Sequence, residues 1–90
     1  MAQIPAELLT AWREHPHQAV RIIVRVEGNL LDRQQDLQAV GAVVVHAIRL
    51  TNSLTVACDG RTALTIAQLP WVLGLSSDAR VSALGRELHG

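Results

Sequence analysis

The sequence predicts a single α+β domain of the βαββαβ type: a four-stranded antiparallel sheet with two helices on one face, preceded by a short helix. Three observations predict it. Residues 20–27 alternate apolar and polar with period two. Two later runs, 42–50 and 54–58, are apolar and rich in β-branched residues, with a Thr-Asn-Ser turn cluster between them. The segments joining these runs carry their apolar residues at helical spacing. A chain of 90 residues leaves room for one small domain.

Pro5 opens a helix that runs through Trp12, because a missing N–H costs nothing in the first turn. Leu8, Leu9 and Trp12 form its apolar stripe, and residues 14–17 (Glu-His-Pro-His) end it. In the first strand Val20, Ile22, Val24 and Val26 share one face and Arg21, Arg25 and Glu27 the other. Ile23 on the polar side predicts that this face too is partly covered. Gly28 and Asn29 end the strand, Leu30, Leu37 and Val40 mark a helix, and Gly41 fits the position just past its end. Residues 42–50 read as an inner strand and 54–58 as its hairpin return. Asp59 is a candidate N-cap for a helix over 61–69, with Ala63, Ile66 and Ala67 facing inward and Pro70 stopping it. Residues 72–75 form a fourth strand, and 79–90 carry only a weak pattern. Residues 37–43 and 66–72 echo each other, each a helix end running into a strand, as the two βαβ units of a ferredoxin-like sandwich would. The expected organisation is a helix and linker over 1–17, the plait over 18–81 and a tail over 82–90.

Composition narrows the function. Eight basic residues, all Arg, balance eight acidic ones, so the surplus positive charge of a nucleic-acid binder is missing. Phe and Tyr are absent, which disfavours a base-stacking sheet. Hydrophobic residues at 49% against 18% charged predict a folded chain. The lone Cys58 excludes an internal disulfide or a Cys-based metal site. No run approaches the roughly 18 apolar residues of a membrane span, and the start lacks a basic segment followed by an apolar one. Localisation is otherwise unknown and reads as cytoplasmic by default.

No catalytic constellation emerges. No glycine-rich phosphate loop is present, and none of the serines (53, 76, 77 and 82) sits in a Gly-x-Ser-x-Gly elbow. His15 and His17 supply two metal ligands where three are needed. His46 lies in an apolar run and reads as a strand histidine, and Cys58 as a small hydrophobe. Asp32 and Asp36 share a solvated helix face. The expectation is a chain that is no enzyme and needs no cofactor or metal.

Residues 20–81 resemble the propeptide and inhibitor domain of subtilisin-type serine proteases. The resemblance is carried by the opening strand VRIIVRVE, the hairpin over 43–57 and, above all, residues 66–78 (IAQLPWVLGLSSD). There a helix ends in Leu-Pro, a valine begins the last strand and an acidic residue closes it. It departs from the family in its neutral charge and in Leu73-Gly74-Leu75, where charged residues are usual. The resemblance implies inhibition of such a protease, and assistance to its folding. The open sheet face would dock on two surface helices of the enzyme, with the C-terminal arm in the active-site cleft. Val81, Ser82, Ala83 and Leu84 would occupy the cleft, Val81 in the outer pocket and Leu84 in the primary one. His46, Ile48, Leu50, Leu54 and Val56 are the candidates for the protease-facing sheet, half of which must instead be core. Two other readings stand beside this one. Residues 26–31 (VEGNLL) look like the strand-to-helix turn of amino-acid-sensing regulatory plaits. An apolar open face also suits an interaction module that self-associates as a homodimer.

Overall fold

The alternation of residues 20–26 becomes the centre of the sheet. The computed structural model describes residues 3–78. Its elements are α1 (Ala6–Glu14), β1 (Ala19–Val26), α2 (Leu30–Ala39), β2 (Val43–Ile48), β3 (Ser53–Asp59), α3 (Gly60–Ala67) and β4 (Val72–Ser77). The four strands are antiparallel in the order β2-β3-β1-β4. The fold is α+β, a four-stranded antiparallel sheet with three helices, as the βαββαβ pattern and its leading helix predict.

One face of the sheet carries the core. Ile22, Val24 and Val26 of β1, Leu54 and Val56 of β3 and Val72 and Leu75 of β4 are all almost fully buried. They form one cluster with Trp12 of α1, Leu37 of α2 and Ala63 and Ile66 of α3. The helices therefore lie on this face, α2 chiefly over β2, α3 over β1, β3 and β4, and α1 beside α3. Period-two burial explains the selection in β1 and β3, where one outward residue separates each core residue from the next, while in β4 a register shift puts Leu73 and Gly74 between Val72 and Leu75.

Local chemistry sets the helix ends. Asn29 caps α2, its side-chain oxygen accepting from the Leu31 and Asp32 amides at 2.9 and 3.3 Å. At the other end Gly41 has φ +99°. It donates to Gln38 O while Ala42 donates to Leu37 O, the paired closure that an αL glycine permits. Asp59 caps α3 as expected, accepting from the Thr62 amide at 2.8 Å. Two more amides at that end, of Gly60 and Arg61, donate to the Gln18 and Pro16 carbonyls of the α1–β1 loop. The approach is close enough that a Cβ at Gly60 would lie 2.7 Å from His15 O and 3.1 Å from Trp12 O. The α1–α3 junction thus needs a glycine at 60, and Trp12 enters the core through it.

Two expectations change. Residues 42–50, read as an inner strand from their β-branched apolar run, give over 43–48 the edge strand β2, with Val43 63% and Val45 42% exposed. Ile23 is half-buried on the face away from the helices, paired with the buried Thr55. The leading segment does more than precede the domain. Gln3 bonds to Leu73 O at 2.9 Å and accepts from the Leu75 amide at 3.0 Å, extending the sheet by one residue beyond β4. Residues 79–90, read as a tail, lie outside the described residues.

Candidate docking face

The face opposite the helices is built from the alternate residues of every strand. Cross-strand partners share a face, so the register defines it directly. One row runs Val43, Ala57, Arg21; the next His46, Thr55, Ile23, Ser76; the third Ile48, Ser53, Arg25, Gly74. A register shift between Val44 and His46 places an extra residue in β2, the signature of a bulge. Val44 and Ala47 pair with the core residues Val56 and Leu54. His46 and Ile48 fall on the open face, and Val45 lines the same hollow as His46.

Two shallow hollows indent this face and share Ile23 and Ile48. The larger, about 490 Å³, lies among Ile23, Arg25, Ile48, Ser53, Gly74 and Ser76. The smaller, about 380 Å³, is bordered by Arg21, Val45, His46, Thr55 and Asp78. Gly74 lets Gln3 approach closely: a Cβ there would sit 3.1 Å from Gln3 O, a tight backbone contact, and 3.7 Å from the Arg25 guanidinium.

Among the described residues the arginines of the face form no ion pair. Among the described residues the one ion pair is Arg33 with Asp36 on α2, at 3.0 Å, and Arg33 also lies over the Trp71 ring, 4.7 Å from its centroid. Neither Arg21 nor Arg25 has a carboxylate within ion-pair distance there. Asp78, at the rim beside Arg21, is joined to it through a backbone bond, Asp78 N to Arg21 O at 3.2 Å.

Of the protease-facing candidates, His46 and Ile48 lie on this face. Leu54 and Val56 do not: both are completely buried against the helices, and the β3 residues of the open face are Ser53, Thr55 and Ala57. Leu50 belongs to the turn between β2 and β3 and is 99% exposed. Val81, Ser82, Ala83 and Leu84 lie outside the described residues. Arg21, Ile23 and Arg25 were missing from the candidates although their parity on β1 sets them opposite Val24 and Val26. Combining that parity with the hairpin pairing is the signal that finds them.

The other sites of interest are chemically quiet. At the α2 N-terminus, where an amino-acid-sensing plait takes its ligand, Asn29 already holds the Leu31 and Asp32 amides. Asn52, with φ +52°, reaches across from the β2–β3 turn and donates to Val26 O and Gly28 O at 2.7 and 3.1 Å. Burial, reinforced by the Asp59 charge, pushes the Cys58 thiol up to about 11, so it stays protonated. Asp59 is held below the usual carboxylate range, chiefly by the backbone bond from Thr62. Among the described residues no three His, Cys, Asp or Glu side chains gather as a metal site would require, and no helix is long and apolar enough to cross a membrane.

Comparison with known proteins places no relative beside this chain: no protein-family model, no curated protein and no solved structure matches it.

Proposed function

We propose that the chain is a non-catalytic binding domain, a ferredoxin-like plait that docks a partner protein through its open sheet face. The observation that carries this reading is the face itself. The core cluster and its helices lie on the other side, and this face presents Val43, Val45, Ile23 and Ile48 with two arginines around the buried Ser53 and Thr55. Exposed apolar side chains rimmed by polar groups are what interaction sites carry. The strand order supports the ferredoxin-like assignment, because two interleaved βαβ units place β1 and β3 at the centre and β2 and β4 outside.

The partner class is the one the sequence resemblance implies, a subtilisin-type serine protease. Asp78, the last described residue, stands at the rim of the open face. In this reading His46 and Ile48 face the enzyme, and Val81, Ser82, Ala83 and Leu84 enter its cleft in an extended, strand-like manner. The test is inhibition of a broad-specificity subtilisin by the full chain and by a chain lacking residues 82–90. Slow, tight inhibition that disappears with the truncation supports the reading. Digestion of the full chain, or inhibition unchanged by truncation, refutes it.

A further inference from the structure

Given a partner seated on the open face, as proposed above, the charges of that face select what the partner must carry. Arg21 and Arg25 stand on the same side of β1 with Ile23 between them, about 13 Å apart at the rise of an extended strand. Their neighbours across the sheet are Ala57 for Arg21 and Ser53 and Gly74 for Arg25, none of them acidic. The remaining ionisable groups of the face are His46 and, at the rim, Asp78. Among the described residues the other acids lie away from the face: Glu7 and Glu14 on α1, Asp32 and Asp36 on α2, Glu27 beyond β1 and Asp59 capping α3. The helices mix these acids with Arg13, Arg33 and Arg61, whereas the two arginines of the open face have Asp78 alone as a described acid nearby.

Any protein that covers this face removes two guanidinium groups from water. An apolar cover would leave them buried without partners, which is costly. A second copy of the same face would set arginine against arginine. A carboxylate meets the guanidinium fork in two parallel hydrogen bonds and turns the cost into orientation. The 490 Å³ hollow beside Arg25, which Gly74 also lines, has room for one such group.

We infer that the open face recognises an acidic-and-apolar protein surface, Arg25 and Arg21 each receiving a carboxylate and Ile23 and Ile48 the apolar side chains between them. A phosphate backbone is the rival anion, but among the described residues the face holds no Phe, Tyr or Trp on which bases could stack, and its one ring is the His46 imidazole.

The test titrates the 15N-labelled full chain with an amphipathic helical peptide that carries Leu along one face and Glu at its margins. A twin peptide with Lys for every Glu and a 15-mer of oligouridine serve as competing probes. The expected result is amide shifts confined to open-face positions of β1, β2, β3 and β4 with the Glu peptide, and none with the Lys twin. Affinity should fall at least tenfold in Arg21→Ala/Arg25→Ala, and the milder Arg25→Lys should weaken binding while its spectrum confirms the fold. No shift up to millimolar Glu peptide, equal shifts with the Lys twin, tighter binding of oligouridine, or full affinity in the double variant would each overturn the inference. Failure to inhibit subtilisin alongside Arg25-dependent peptide binding refutes the protease partner and leaves the carboxylate receptor standing. Inhibition that survives Arg21→Ala/Arg25→Ala does the reverse.

Discussion

Gly60→Ala separates helix propensity from tertiary fit, because the two make opposite predictions at this position. Residue 60 opens α3, and exchanging glycine for alanine in a helix gains up to about 1 kcal/mol in propensity. The junction with α1 reverses that sign. An added Cβ would stand 2.7 Å from His15 O and 3.1 and 3.2 Å from Trp12 O and Cα, all backbone atoms that no rotamer change can move aside. Relief requires α1 and its loop to back away from α3. That loosens the Gly60-to-Gln18 and Arg61-to-Pro16 bonds, each contributing roughly 1 kcal/mol, and lifts Trp12, only 2% exposed, from its seat. Overpacking of this kind costs about 1–3 kcal/mol. With the propensity gain set against the two loosened bonds and the strain, the net expectation is a loss of about 2 kcal/mol, or roughly 10 °C in Tm for a domain of this size. Urea and thermal denaturation followed by far-UV circular dichroism measure it. Trp12 emission, isolated in a Trp71→Phe background, should shift to the red before global unfolding. A variant with an unchanged or raised Tm would refute the docking of α1 against α3.

Three further outcomes are expected. Ile22→Ala should cost about 3 kcal/mol and its neighbour Ile23→Ala less than about 1.5 kcal/mol, since the first is 1% exposed among the helices and the second lies on the open face; equal losses in urea denaturation would overturn the assignment of faces. Iodoacetamide should alkylate Cys58 at pH 8 about a hundredfold more slowly than an ordinary thiol, because a pKa of about 11 leaves little thiolate, and mass spectrometry showing an ordinary rate would contradict the burial of that side chain. The folded-state pKa of Asp59 is depressed, so its share of stability is present above the unfolded value and is lost as pH falls through the folded one. The stability advantage of the native chain over Asp59→Asn at pH 5 should therefore shrink by pH 3, and an advantage that grows on acidification would contradict the cap.

The elements set by local chemistry were legible in the sequence. The alternation of β1, the N-cap at Asp59 and the glycine past α2 each depend on residues within a few positions of one another. What was not legible depends on partners distant in sequence. The apolar run 43–48 looks like a buried inner strand because β-branched residues serve both a core and a docking face. Only the strand order makes it an edge with Val43 and Val45 turned outward. The parity error at Leu54 and Val56 has the same origin. A period-two reading of the hairpin carries the even positions of β2 straight into β3. The bulge between Val44 and His46 leaves His46 and Ile48 paired with Thr55 and Ser53 instead. The demand for glycine at 60 and the seat of Gln3 against β4 arise from chain crossings that no local pattern encodes.

The edges and the open face together bear on how a partner binds. A sheet edge invites strand addition when its backbone groups lie in an uninterrupted row. Here Gln3 already takes the donor and acceptor at Leu73 and Leu75 on the β4 side, and the bulge interrupts the ladder of β2. Both edges are thus blunted, while the face between them retains half-buried isoleucines and two arginines that form no ion pair among the described residues. Side chains rather than backbone should then carry recognition by the sheet. Substitutions at Ile23, Arg25 and Ile48 should weaken docking in steps that track their chemistry, whereas a proline at Val45, which removes a backbone donor from the outer strand, should leave binding by the folded chain within about twofold. Surface plasmon resonance with the immobilised chain distinguishes the two. Loss of binding in a folded Val45→Pro variant, with Ile23→Ala unaffected, would show that the edge and not the face is the docking element.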